Sequence, residues 1–218
     1  MTLEITIRQQ AFVLHCSGAI FWKSQQMLLI SDVHLGKVAH FRRHGLALPP
    51  DSAAGNFKQL TSVADHFQAQ TICFLGDLFH SKLNNEWFAF EDWVNSRNEK
   101  IVLVSGNHDI ISPTMYTAIG VEVLPEKIVN TFLLTHEPEI REGLFTFCGH
   151  IHPGIRLHGT GRQLLQLPCF FQTEDQLILP AFGEFTGKFI LNPAENDRVY
   201  VITKEEVIFI KNNQTGTP

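Results

Sequence analysis

Five short polar clusters carry the residue types that hold metal ions: Asp32-Val33-His34, Gly76-Asp77, Gly106-Asn107-His108-Asp109, His136 and Gly149-His150-Ile151-His152. Carboxylates, imidazoles and an amide oxygen are donors that zinc, manganese and iron accept. A hydrolase working with two metals needs them roughly 3.5 to 4 Å apart around a shared carboxylate, with open positions for water and substrate. The clusters supply that inventory. Asp32 and His34 stand two apart, so a regular strand would face both to one side, while at a fraying strand end they can converge. Asp77 is the natural shared carboxylate, Asn107 offers an amide oxygen, and His136, His150 and His152 offer imidazoles. The glycines beside Asp77, Asn107 and His150 let backbone come close to a metal.

Each cluster follows an apolar run: Met27 to Ile30, Thr71 to Leu75, Ile101 to Val104, Phe132 to Thr135 and Leu144 to Cys148. Short apolar runs bounded by turn residues read as buried strands. In an open α/β sheet, ligands gather at the carboxyl ends of the strands, where side chains can turn inward. One histidine in such a place, His136 for example, is ordinarily a hydrogen-bonded residue at a core edge. Five clusters in the same kind of place call for a common cause.

Around these runs the chain alternates its patterns. Four strand-like pieces, Leu3 to Arg8, Ala11 to Cys16, Ala19 to Trp22 and Met27 to Ser31, predict an antiparallel meander. Asp51 or Ser52 can cap a helix to about Phe67, with Ala53, Phe57, Leu60, Ala64 and Phe67 on one face. A second helix is predicted from about Asn85 to Arg97, with Trp87, Phe90 and Val94 on its buried stripe, and Pro113 opens a third to about Ile119. Beyond Val121 strands follow one another, including Gln163 to Leu167, Gln176 to Leu179, Arg198 to Ile202 and Glu206 to Lys211. This order predicts one α/β domain spanning 1–218. Its two mixed β-sheets pack face to face with helices outside, a four-layer sandwich. The polar tail from Asn212 to Pro218 is expected to fray.

Composition bounds the function. Across 218 residues, 44% hydrophobic and 18% charged side chains fit a globular enzyme, and no apolar run approaches the 18 or so residues of a membrane span. Leu3, Ile5 and Ile7 alternate with polar residues, the mark of a strand and not of a signal peptide, so a cytoplasmic location is expected and no membrane partner. Cys16, Cys73, Cys148 and Cys169 form no C-x-x-C pair and are expected as reduced thiols. A net charge of -5 argues against a surface built to attract nucleic acid from every direction. The dense basic stretch is Lys37 to His44, with Lys37, His40, Arg42, Arg43 and His44.

The pattern D-x-H, G-D, G-N-H-D, H, G-H-x-H from Asp32 to His152 resembles the calcineurin-like metallophosphoesterases. The wording around it, Leu-Ile-Ser-Asp-Val-His-Leu-Gly-Lys, Gly-Asp-Leu-Phe-His-Ser, Thr-His-Glu-Pro, Cys-Gly-His-Ile-His-Pro and the late Leu-Pro-Ala-Phe-Gly-Glu-Phe-Thr-Gly of Leu179 to Gly187, is similar to the ligase-associated DNA damage response endonuclease family. That closer resemblance runs from Met27 to about Leu191. It implies a metallophosphoesterase fold with two divalent metal ions, manganese first and zinc or iron as alternatives. Asp32, His34 and His152 would hold one metal and Asn107, His136 and His150 the other, with Asp77 bridging. His108 would donate a proton to the leaving oxygen or stabilise developing charge, oriented by Asp109. The implied reaction is attack on phosphorus by a metal-bound hydroxide, available near neutrality because coordination lowers the pKa of water. DNA, and functional association with DNA ligase and helicase, are the implied partners.

Other residues leave two readings each. Lys37, Arg42 and Arg43 would clamp a phosphodiester backbone or belong to a solvated loop. His80 stands where many relatives carry an acid, three residues after Asp77, and either touches substrate or supports the site. Phe79, Trp87, Phe88, Phe90, Phe170 and Phe171 fit packing between layers better than base stacking. Leu179 to Gly187 is a glycine-flexed turn that lines the pocket, with no role for Glu184. Two rivals to DNA cleavage are hydrolysis of a nucleotide or other small phosphate compound and an inert binding scaffold, the latter disfavoured because no ligand is missing.

Overall fold

The computed structural model describes residues 1–37, 52–80, 86–159, 163–183 and 186–210. His40, Arg42, Arg43, His44, Asp51, Glu184 and the tail beyond Ile210 lie outside the described residues.

The meander expected at the start is present as β1 (Thr2–Ile7), β2 (Gln10–His15), β3 (Ile20–Trp22) and β4 (Met27–Ile30). It leads through α1 (Ser52–Phe67) to β5 (Thr71–Leu75), through α2 (Glu86–Asn95) to β6 (Lys100–Val104), and through α3 (Pro113–Ala118) to β7 (Val121–Leu124). These strands form one sheet in sequence order, antiparallel from β1 to β4 and parallel from β4 to β7. The second sheet holds β8 (Lys127–Val129), β9 (Phe132–Leu134), β10 (Phe145–Cys148), β11 (Pro153–His158), β12 (Leu164–Gln172), β13 (Gln176–Ile178), β14 (Phe189–Ile190), β15 (Arg198–Ile202) and β16 (Val207–Ile210). Within it β9, β10 and β13 run parallel.

Alternation along the strands divides the core into layers. Leu28, Ile30, Ile72, Phe74, Ile101 and Leu103 face the helices and pack with Leu60, Val63, Trp87, Phe90 and Tyr116. Their neighbours Met27, Leu29, Cys73, Leu75, Val102 and Val104 face the second sheet and meet Phe132, Leu134, Phe145, Phe147 and Leu177. Both faces of β4, β5 and β6 are therefore covered, which is why those strands read as unbroken apolar runs. Phe12 and Phe147 anchor the inter-sheet layer with ring centroids 4.8 Å apart. Phe79, Trp87, Phe90, Phe170 and Phe171 are buried, as the packing assignment expects, and Phe88 is exposed.

Two mixed sheets packed face to face and flanked by helices are present, as expected. Among the described residues α1, α2 and α3 pack on the first sheet, and the outer cluster of the second sheet, Cys148, Ile155, Cys169, Phe171, Ile178, Val199 and Val201, comes from strands. One difference lies at β12, expected to stop at Leu167 but running to Gln172. Pro168 ends the pairing with β11, and from Cys169 the strand pairs with β15 instead. A proline withholds one ladder donor, so it fits where a strand changes partner and looks like a terminus in sequence. The four cysteines are free, and burial pushes the Cys73 and Cys169 thiols up to about 12.

Candidate metal centre

The ligand-bearing turns leave parallel strands at one edge of the molecule. In the first sheet Ile30 pairs with Phe74 and Leu75 with Val104, so Asp32, Asp77 and Asn107 emerge side by side. In the second, Phe147 pairs with Leu134, which sets His136 beside His150. Packing of the two sheets brings these two groups together.

Pairing continues past the strand ends in a form that curls the chain. Asp32 N–H donates to Gly76 O (3.2 Å), His34 N–H to Asp77 O (2.9 Å), Leu35 N–H to Leu78 O (2.8 Å) and His80 N–H to Leu35 O (2.8 Å). Gly149 N–H donates to His136 O (2.9 Å). Asp32, His34, Asp77, His150 and His152 all have φ between 51° and 67°. That left-handed region costs a non-glycine residue on the order of 1 kcal/mol or more, so the surrounding hydrogen bonds must hold it. Gly76 and Gly149 occupy places where no side chain fits. A Cβ at Gly76 would enter the His136 ring, and one at Gly149 would enter Ser31 and Asp32.

The donor atoms converge in two overlapping groups, Asp32, His34 and His152, and Asp32, Asp77 and His136. His152 Nε2 lies 3.0 Å from Asp32 Oδ1, and His34 Nε2 lies 3.4 Å from His152 Nε2. Asp77 turns one oxygen to each side, Oδ1 being 3.4 Å from His136 Nε2 and Oδ2 3.9 Å from His34 Nε2. On the far side His136 Nε2 is 3.0 Å from Asn107 Oδ1 and 3.1 Å from His150 Nδ1. The His136 Nδ1–H donates to Leu75 O at 3.0 Å, which leaves the Nε2 lone pair for that cluster.

These residues fit divalent cations. Asp32 Oδ1 and His34 Nδ1 are buried without a hydrogen-bond partner. Facing ring nitrogens at 3.1 to 3.4 Å require a proton or a cation between their lone pairs. Burial, followed by the charge of Lys37, pushes His34 down to about 3 in spite of Asp32, so it presents the neutral imidazole that metals bind. Burial opposes the charge on Asp32, but contact with His152 and the hydrogen bond from Ser31 outweigh it and hold the carboxyl below its ordinary value.

His108 is exposed at the mouth. Its ring stacks on His80, with centroids 5.5 Å apart, and both lie near His34, at 5.8 and 5.6 Å. His80 thus stands within the site. Asp109 does not take the part expected of it. Its carboxylate accepts from the backbone N–H groups of Leu78 (3.0 Å), Phe79 (3.2 Å) and Gly106 (2.8 Å), and among the described residues no hydrogen bond joins it to the His108 ring. It ties the Asp77 turn to the Asn107 turn, supporting His108 through backbone. Burial raises its pKa to about 6 against those amides. Lys37 is half-buried, with Nζ 3.5 Å from Thr186 Oγ1.

One contributor had escaped the motif reading, and another does more than line the pocket. Ser31, completely buried, donates its hydroxyl to Asp32 and also approaches Leu75 O at 3.3 Å. Its position immediately before the D-x-H motif was the available signal. The segment from Leu179 to Gly183 is more than a flexible turn: Leu179 N–H donates to Cys148 O (2.7 Å), Phe182 N–H to Ser31 O (2.9 Å) and Gly183 N–H to Asp32 O (3.1 Å). It bonds the ligand turns of both sheets, and a Cβ at Gly183 would collide with Val33 O.

The fold and this site define a metal-dependent hydrolase of phosphoric esters. The chain belongs to the calcineurin-like phosphoesterase family, whose model matches residues 26–163. A solved structure of Pseudomonas putida nuclease MPE is similar with a TM-score of 0.80 and 29% identity, covering 96% of this chain and 100% of that one. Yfce, a phosphoesterase from E. coli, is similar at a TM-score of 0.41 and 16% identity, covering 87% of this chain and 94% of that one. No curated protein sequence matches significantly. No helix among the described residues is long and apolar enough to cross a membrane.

Proposed function

We propose that the protein is a two-metal phosphodiesterase acting on DNA. The observation that carries the two-metal reading is Asp77, whose oxygens face different histidine groups, His34 on one side and His136 on the other. In this reading Asp32, His34 and His152 would hold one ion and Asn107, His136 and His150 the other, with Asp77 available to both. When bound, divalent cations supply neutralisation of the phosphate and a lowered pKa for water. Manganese is the favoured metal. The chain's own residues hold the donors in place, keep His34 neutral, and set His108 where it can deliver a proton to the departing oxygen, with His80 against its ring face.

Support for DNA comes from the likeness over nearly the whole chain to a protein described as a nuclease. A place in repair beside ligase and helicase, in the cytoplasm, accords with the family resemblance of the motifs. The net charge of -5 suits the alternative, hydrolysis of a nucleotide or other small phosphate compound, equally well. The test is nicking of circular DNA beside hydrolysis of small diesters and monoesters, with added manganese and Asp77→Asn as control. Nicking by the wild type and none by Asp77→Asn is expected; turnover of monoesters alone would overturn the DNA reading.

A further inference from the structure

Two cavities adjoin the metal centre, and their charges differ. One, of about 470 Å³, opens at Asn107 and His136 and is lined by Glu137 and Glu139. The other, of about 430 Å³, opens at His152 and is lined by Thr186, Lys188, Thr203 and Lys204, with no acid among its described lining residues. In a chain with 22 acidic and 17 basic residues, two lysines lining one groove beside the site are a local departure from the overall balance.

Both lysines are placed by structure. Lys204 sits in the turn between β15 and β16, where Thr203 N–H donates to Glu206 O (3.0 Å) and Thr203 Oγ1 accepts from the N–H groups of Glu205 (3.3 Å) and Glu206 (3.1 Å). Lys188 follows the loop that binds the Asp32 turn, and its stem lies over Gly154, where an added Cβ would stand 3.0 Å from that of Lys188. The next residue, Phe189, donates its N–H to His152 O (2.9 Å), which ties Lys188 to a ligand-bearing turn. Among the described residues neither lysine has an ion-pair partner, although both are exposed. Thr186 extends the row toward Lys37.

Building on the DNA reading above, we infer that this groove carries the polynucleotide backbone away from the scissile phosphate, with Lys188 and Lys204 as its phosphate contacts. The other cavity carries Glu137, and its Glu139 is ion-paired with Arg141, so neither acid there offers a phosphate contact, and the strand is held from the His152 side. An ammonium group suits this task, because it attracts successive phosphates without reading sequence.

The test compares wild type with Lys188→Ala plus Lys204→Ala on a DNA oligonucleotide and on bis(p-nitrophenyl) phosphate, both with added manganese. The double variant is expected to raise the KM for DNA roughly tenfold and to reduce the slope of log affinity against log salt by about 1.5. Hydrolysis of the small diester should be unchanged, and Lys188→Arg plus Lys204→Arg should restore DNA cleavage. If wild type cleaves the oligonucleotide and the alanine variant does so equally well with the same salt slope, the groove assignment falls and the DNA reading stands. Should the wild type hydrolyse the small diester but neither bind nor cleave DNA, both fall together.

Discussion

The floor of the centre and its mouth are built on different terms. At the floor Asp32, His34, Asp77 and His136 are buried, and several sit in left-handed backbone held by hydrogen bonds that cross from one turn to the next. At the mouth Asn107, His108, Lys188 and Lys204 are exposed. The difference separates two jobs. A metal site needs donors fixed in position, which burial and backbone constraint provide; a site that receives a long charged polymer needs side chains that solvent and substrate can reach.

Substitutions can break or sharpen that contrast. Asp77→Asn removes the charge shared by the two groups and should lower turnover more than about a thousandfold on every substrate, measured beside metal content by elemental analysis. Gly76→Ala places a methyl in the His136 ring and strains a residue with φ of 78°. A loss of roughly 3 kcal/mol is expected, measured by chemical denaturation. Were it tolerated with full metal content, the floor would be more plastic than its geometry implies. His108→Ala at the mouth should keep the metal and slow DNA hydrolysis by about a hundredfold or more. Loss of metal with normal turnover per bound metal would move His108 into the floor.

Chelation tests the floor as a whole. The five candidate ligands with positive φ and the unpartnered Asp32 and His34 atoms cost folding energy that cations bound there would offset. Removing metal with a chelator should lower the melting midpoint by roughly 5 °C or more, read by calorimetry, and manganese should restore it. The same treatment of Asp77→Asn should give a smaller shift.

Much of this was legible in the sequence for a local reason. Unbroken apolar runs such as Thr71 to Leu75 announce strands covered on both faces, and a donor placed just beyond each run lands at the carboxyl edge whatever the remainder does. The short strands β8 and β14 and the proline-initiated β11 carry too few residues, or the wrong first one, to register as a pattern.

Residue types therefore pointed by themselves to metal-dependent chemistry and to where along the chain the candidate donors lie. Tertiary structure alone decided which donors face one another, since His136 and His150 reach Asp77 and Asn107 through the packing of two sheets remote in sequence. It likewise gave Asp109 to three backbone amides instead of the His108 ring, and set Lys188 and Lys204 in one groove beside His152. Such relations depend on distances across the fold, and motif spacing holds only distances along the chain.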